Sequence, residues 1–201
     1  MILLKEKISS IIFPNNKITI YIISFFIIGL ISGSLFLTNL DSTDKLTIIT
    51  RIEDFLTNNN LSLKNTLIIN YTYITLIFIF GLTLLGLFIN SIISYIKGFI
   101  LGFSISSIFY TYGIKSIPAG IIYIFPHNII NIIIIISLTV YSIIFSASLI
   151  KQIIGKRVNI LQLLKKYTVI YLSSLILITL SSLYEVYITP FLYDLITKLY
   201  S

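Results

Sequence analysis

Between Lys64 and Lys97 the chain runs for 32 residues without one charged side chain. A helix needs about 20 apolar residues to cross a bilayer, so a run of this length is more than one span long. Comparable apolar runs recur along the rest of the sequence, and they are continuous rather than periodic at 3.6 or 2 residues. Only 10% of the 201 residues are charged and 57% are hydrophobic, with a mean hydropathy of +1.03. A soluble domain carries roughly a quarter of its residues as charges to cover its surface. The expected fold is therefore all-α and integral to the membrane, a single multi-pass domain over residues 1–201. Five transmembrane helices are expected at about 18–40, 67–89, 98–114, 126–149 and 167–187.

Along the chain, Lys5 and Lys7 alternate with apolar residues ahead of the turn Pro14-Asn15-Asn16, which suits a segment lying in the headgroup region. Span one carries Gly29 and Gly33 with Ser34 beside them, a small-xxx-small face that lets another helix approach closely. The loop 41–66 is the one sizeable polar segment, and Leu46, Ile49, Ile52 and Leu56 give it an amphipathic pattern. Lys97 is expected to mark the turn between spans two and three. Gly98, Gly102 and Ser106 then repeat at four-residue spacing as the packing face of a short third span. Pro118, Ala119 and Gly120 are expected to break the helix, leaving a re-entrant or interfacial piece at 117–125, with Pro126 opening span four. Residues 150–166 form a basic connector, and Glu185 lies near the end of span five, ahead of Pro190.

Fourteen Lys and Arg against seven Asp and Glu give a net charge of +7. In a polytopic chain this excess reports topology before partners. Nine of the fourteen fall on the side of the N-terminus and the 150–166 connector, which places the N-terminus in the cytoplasm and the loop 41–66, the opening of span four and the C-terminus outside. No polar segment is large enough for a nucleic-acid-binding domain, so membrane lipids are the expected surroundings and no nucleic acid partner is expected. The absence of cysteine removes disulfides, thiolate metal sites and cysteine nucleophiles.

His127 is the one histidine, and with no second histidine it falls short of the three or four ligands of a zinc site. Ser104 and Ser106 lack the tight glycine-flanked setting of a serine nucleophile. No catalytic residue, metal or cofactor is expected. His127, Asn128 and Asn131 are read as bonding backbone exposed around Pro126 and linking neighbouring helices, with His127 and Asn131 four apart on one face. A carboxylate within a span, such as Glu185, costs on the order of 3 kcal/mol on insertion scales and is partnered or functional.

The glycine pair Gly29/Gly33, Gly81 with Leu84-Leu85-Gly86, Lys97-Gly98-Phe99 with Leu101-Gly102-Phe103, Pro118-Ala119-Gly120, Phe125-Pro126-His127-Asn128 and Glu185 to Pro190 carry, in their order and spacing, a resemblance. Together they resemble the stage II sporulation protein M family of polytopic membrane proteins. The resemblance implies a non-enzymatic scaffold of sporulation engulfment, acting in the mother-cell septal or engulfing membrane. It implies as partners the amidase/endopeptidase stage II sporulation protein P and, through it, the lytic transglycosylase stage II sporulation protein D. Partner binding is expected at the loop 41–66 and at the glycine faces of spans one and three, and a homo-oligomer is left open. The alternative reading is a permease moving a small solute, which the helix breakers around 117–125 would serve.

Overall fold

A computed structural model describes residues 13–48, 50, 62–112 and 117–188, with backbone alone for 108, 111–112 and 117–126. The elements used below are α1 (Asn16–Thr38), α2 (Leu63–Gly81), α3 (Gly86–Tyr112), α4 (Ile117–Ile153) and α5 (Ile160–Leu183), the last running into a π-helical turn, Tyr184–Ile188. Five helical stretches are long and apolar enough to cross a membrane: Asn16–Thr38, Leu63–Gly81, Gly86–Ser107, His127–Ile153 and Ile160–Ile188. The protein is a multi-pass helical membrane protein.

Local chemistry sets the helix ends. The Asn15 side chain accepts from the backbone N–H groups of Lys17 (3.1 Å) and Ile18 (3.2 Å), capping α1. Lys45 donates to the Thr38 carbonyl at the other end of that helix, 2.9 Å away, where a cation suits the dipole. α4 stops at a left-handed glycine, Gly155, with φ +83°. The bonds Gly155 N–H to Gln152 O and Lys156 N–H to Lys151 O, both 3.0 Å, close the turn that such a glycine permits. Asn159 then caps α5 by accepting from the Gln162 N–H at 3.1 Å. Because α5 starts at Ile160, Lys165 and Lys166 lie in its first two turns.

Two expectations about the helices need correction. Spans two and three do not meet at Lys97; the chain turns at residues 82–85, and α3 passes straight through Lys97. The turn carries no charge, because its freed carbonyls are satisfied by other helices. Ser146 on α4 donates to Thr83 O (2.8 Å) and Leu84 O (3.2 Å), and Tyr167 on α5 donates to Ile77 O (2.9 Å) and Phe78 O (3.1 Å). A backbone break at membrane depth is tolerated where protein covers it in this way. Nor does the backbone break at Pro118-Ala119-Gly120 or begin afresh at Pro126. Residues 117–125 are α-helical and continuous with α4. Pro118 occupies the second position of that helix, where the N–H it lacks has no helical acceptor.

α4 is the centre of the bundle: 67% of its span is buried, against 22–39% for the others. Two apolar clusters flank it. One joins Ile74, Ile77, Ile93, Leu138, Phe145, Tyr167 and Ile178, and the other joins Ile22 to Ile136, Val140 and Ile143. α1 and α3 run parallel and touch backbone to backbone. A methyl added at Gly29 or Gly33 would run into the carbonyl oxygens of Tyr95 or Phe99, and one at Gly98 or Gly102 into those of Phe26 or Leu30. Ser34 donates to Gly102 O across the seam at 3.2 Å, and the hydroxyls of Ser32 and Tyr95 lie 2.9 Å apart. The glycine faces expected to receive a partner's helix are thus filled by two helices of the same chain.

Candidate functional site

A cavity of about 350 Å³ opens at the end of the bundle opposite the 154–159 connector. The first turns of α2 supply Ser62, Asn65, Thr66 and Asn70 to its wall, and α3 supplies Lys97. The start of the α4 span adds His127, Asn128 and Asn131, and the π-helical turn adds Glu185. A π turn inserts an extra residue into the helix and re-aims the side chains it carries, a device frequent at functional sites. Here it carries the one acid of the five spans.

His127 is buried, with Nε2 4.0 Å from Glu185 Oε1 and 3.0 Å from Asn128 Nδ2. Its backbone carbonyl accepts from Ser181 on α5 at 3.1 Å, which ties the two helices at this level. Asn70 donates to Ser182 at 3.0 Å, and Tyr71 shares a 2.6 Å bond with Thr179, so α2 is fastened to the same turns of α5. Lys97 sits in the middle of α3 with its ammonium 4.8 Å from the centroid of the Tyr73 ring, a cation–π contact. It lines the same cavity as Glu185 and His127. Two buried atoms of this site, His127 Nδ1 and Asn131 Oδ1, have no hydrogen-bond partner among the described residues.

A lysine and a carboxylate lining one polar cavity, with uncommitted hydrogen-bonding groups beside them, can recognise a polar group brought in by something else. Its metal-capable groups are His127 and Glu185, two where a zinc site uses at least three protein ligands. Outside the cavity, nearer the turn at 82–85, Asn90 donates to Ile77 O at 3.1 Å and to Ser142.

Of the residues singled out in the sequence, His127, Asn128, Asn131 and Glu185 meet in this cavity. Gly29, Gly33, Gly98 and Gly102 form the α1–α3 seam instead. Ser106 is half-buried further along α3, where its neighbour Ser107 is the buried one and donates to Phe103 O at 2.8 Å. Pro118, Gly120 and Pro126 lie in the helical backbone of α4, while Pro190 and, within the loop 41–66, residues 49 and 51–61 fall outside the described residues. Sequence reasoning missed Lys97 and Asn70. Lys97 ends the charge-free run and so reads as an interface residue, although a lysine beside a glycine packing face also fits a half-buried place in a bundle.

A family model described as stage II sporulation protein M matches residues 22–190. The chain belongs to the stage II sporulation protein M family. The match takes in four spans whole, the first span from Ile22 onward, and every residue of the cavity wall. This is a family of membrane proteins named for sporulation and is not a known enzyme family. No curated protein and no solved structure matches the chain.

Proposed function

We propose that this protein is a non-enzymatic membrane scaffold of sporulation engulfment that anchors and localises peptidoglycan hydrolases at the septal or engulfing membrane. Its proposed partners are stage II sporulation protein P and, through it, stage II sporulation protein D. The observation that carries the reading is the family match over residues 22–190, which leaves none of the five spans wholly outside it. The architecture suits the role: the α1–α3 seam and the hydroxyl–carbonyl bonds at the 82–85 turn make a stiff platform. With Lys97 inside a span, eight Lys and Arg remain at the connector end and five at the other. The positive-inside rule then keeps the N-terminus cytoplasmic and turns the cavity toward the wall, where such hydrolases act.

On this reading a polar group of the partner's membrane-proximal segment enters between Lys97 and Glu185. Co-purification of stage II sporulation protein P with Lys97→Met, Glu185→Gln and Asn131→Leu variants from sporulating cells tests it. Loss of the hydrolase from folded variants is expected. Retention by all three would remove the cavity from the interface, and no hydrolase with the unaltered chain would remove the scaffold itself.

The cavity also favours a second reading, a permease for a small polar solute, because transporters place charged groups within their spans. Saturable solute flux into proteoliposomes, lost on Lys97→Met, would replace the scaffold reading.

A further inference from the structure

At the opposite, basic end of the bundle lies a second cavity, of about 520 Å³, between the start of α1, the middle of α4 and the first turns of α5. Its depth is apolar: Tyr141, Ile144 and Phe145 come from α4, and Leu163, Val169 and Ile170 from α5. Lys165 and Lys166 are consecutive, both exposed, and both line the same cavity. We propose that this cavity binds one anionic phospholipid, with an acyl chain against Tyr141, Phe145 and Ile170 and the phosphate held by Lys165 and Lys166.

Two observations carry the assignment. The first is the lining: an apolar depth with two lysines at its edge, in a volume within the roughly 300–1,000 Å³ of ordinary ligand clefts, suits an acyl chain and its headgroup.

Charge sets the headgroup. No acidic residue occurs between Asp54 and Glu185, so α4, the connector and most of α5 offer the two lysines no carboxylate. Lys151, Lys156 and Arg157 lie at the same end and add to the positive field. Lysines can lay their stems along an apolar wall and present the ammonium at headgroup level, which is the geometry a phosphate diester needs. The inference does not rest on the scaffold reading, because the site is at the other end of the bundle and binding is measured without a partner.

Native mass spectrometry of the full chain, released from detergent with phosphatidylglycerol or phosphatidylcholine of matched acyl chains, tests it. One retained phosphatidylglycerol per chain is expected, in preference to phosphatidylcholine. The Lys165→Gln/Lys166→Gln pair should lower retention about thirtyfold, in line with the attraction of each lysine for an anionic headgroup. Val169→Trp, at an exposed position on the rim, should block the acyl chain while leaving the melting temperature unchanged. The pair Lys156→Gln/Arg157→Gln, off the cavity, should lower retention far less, since these charges add only to the general field. Equal retention of the two lipids, equal loss from the two charge-removing pairs, or full retention by Val169→Trp would each overturn the proposal.

Discussion

The Tyr167 hydroxyl, at the end of a side chain only 1% exposed, bonds the Ile77 carbonyl at 2.9 Å and the Phe78 carbonyl at 3.1 Å, some 90 residues earlier in the chain. It meets α2 just where that helix runs out. Gly81 is required beside it, since a Cβ there would collide with the same hydroxyl and with Ser142 Oγ. Tyr167→Phe keeps the ring contacts with Phe78 and Phe145 but strips the carbonyls of their donor. A loss of about 1–2 kcal/mol is expected in detergent unfolding. An unshifted transition would mean that another donor replaces the hydroxyl.

The α1–α3 seam should be the least forgiving part of the molecule. Leucine at Gly98 or Gly102 meets backbone rather than a movable side chain, so the helices must separate, at a cost of about 3 kcal/mol. Ile27→Leu, on the exposed face of α1, should change little. Thermal unfolding of the three variants checks the contrast. A partner lost from Gly98→Leu with unfolding unchanged would return that face to the interface.

Removing either charge of the cavity should be worse than removing both. Lys97→Met and Glu185→Gln each leave the opposite charge less compensated inside the bundle, and the double variant relieves it. A double-mutant cycle on unfolding should give a coupling of about 1–3 kcal/mol. Strict additivity would show that the two groups do not sense each other.

Since the chain has no cysteine, single introduced cysteines can map the spans with an impermeant thiol reagent. Arg157→Cys, in the exposed connector, should label from the N-terminal side of the membrane, Asn65→Cys from the opposite side, and Ile96→Cys from neither. Labelling of Ile96→Cys would restore a boundary at Lys97.

The helices were legible because apolar runs of span length admit one fold class in lipid. Gly29, Gly33, Gly98 and Gly102 were legible as close-packing positions, yet nothing in one helix's pattern says which neighbour fills it. The chain's own α1 and α3 fill each other. The turn at 82–85 was hidden because polar residues usually mark a turn, and here the polar groups sit on α4 and α5, more than 60 residues away. The same remoteness concealed the cavity: Asn70, Lys97, His127 and Glu185 are scattered in sequence, and only the bundle brings them to one level. Pro118 and Pro126 misled in the other direction: Pro118 sits at the helix start, where proline is compatible with helix, and Pro126 lies in the helix interior, where a membrane bundle tolerates it.

The parallel seam of α1 and α3 has a consequence for biogenesis. Ser34 and Gly102, which bond across it, are 68 residues apart. As the chain leaves the ribosome, α1 reaches the bilayer well before its counterpart exists, with Gly29 and Gly33 turned to lipid. Only when α3 arrives can the first helix settle. Assembly is therefore ordered, with a waiting α1 whose glycine face stays open to any other helix until α3 claims it.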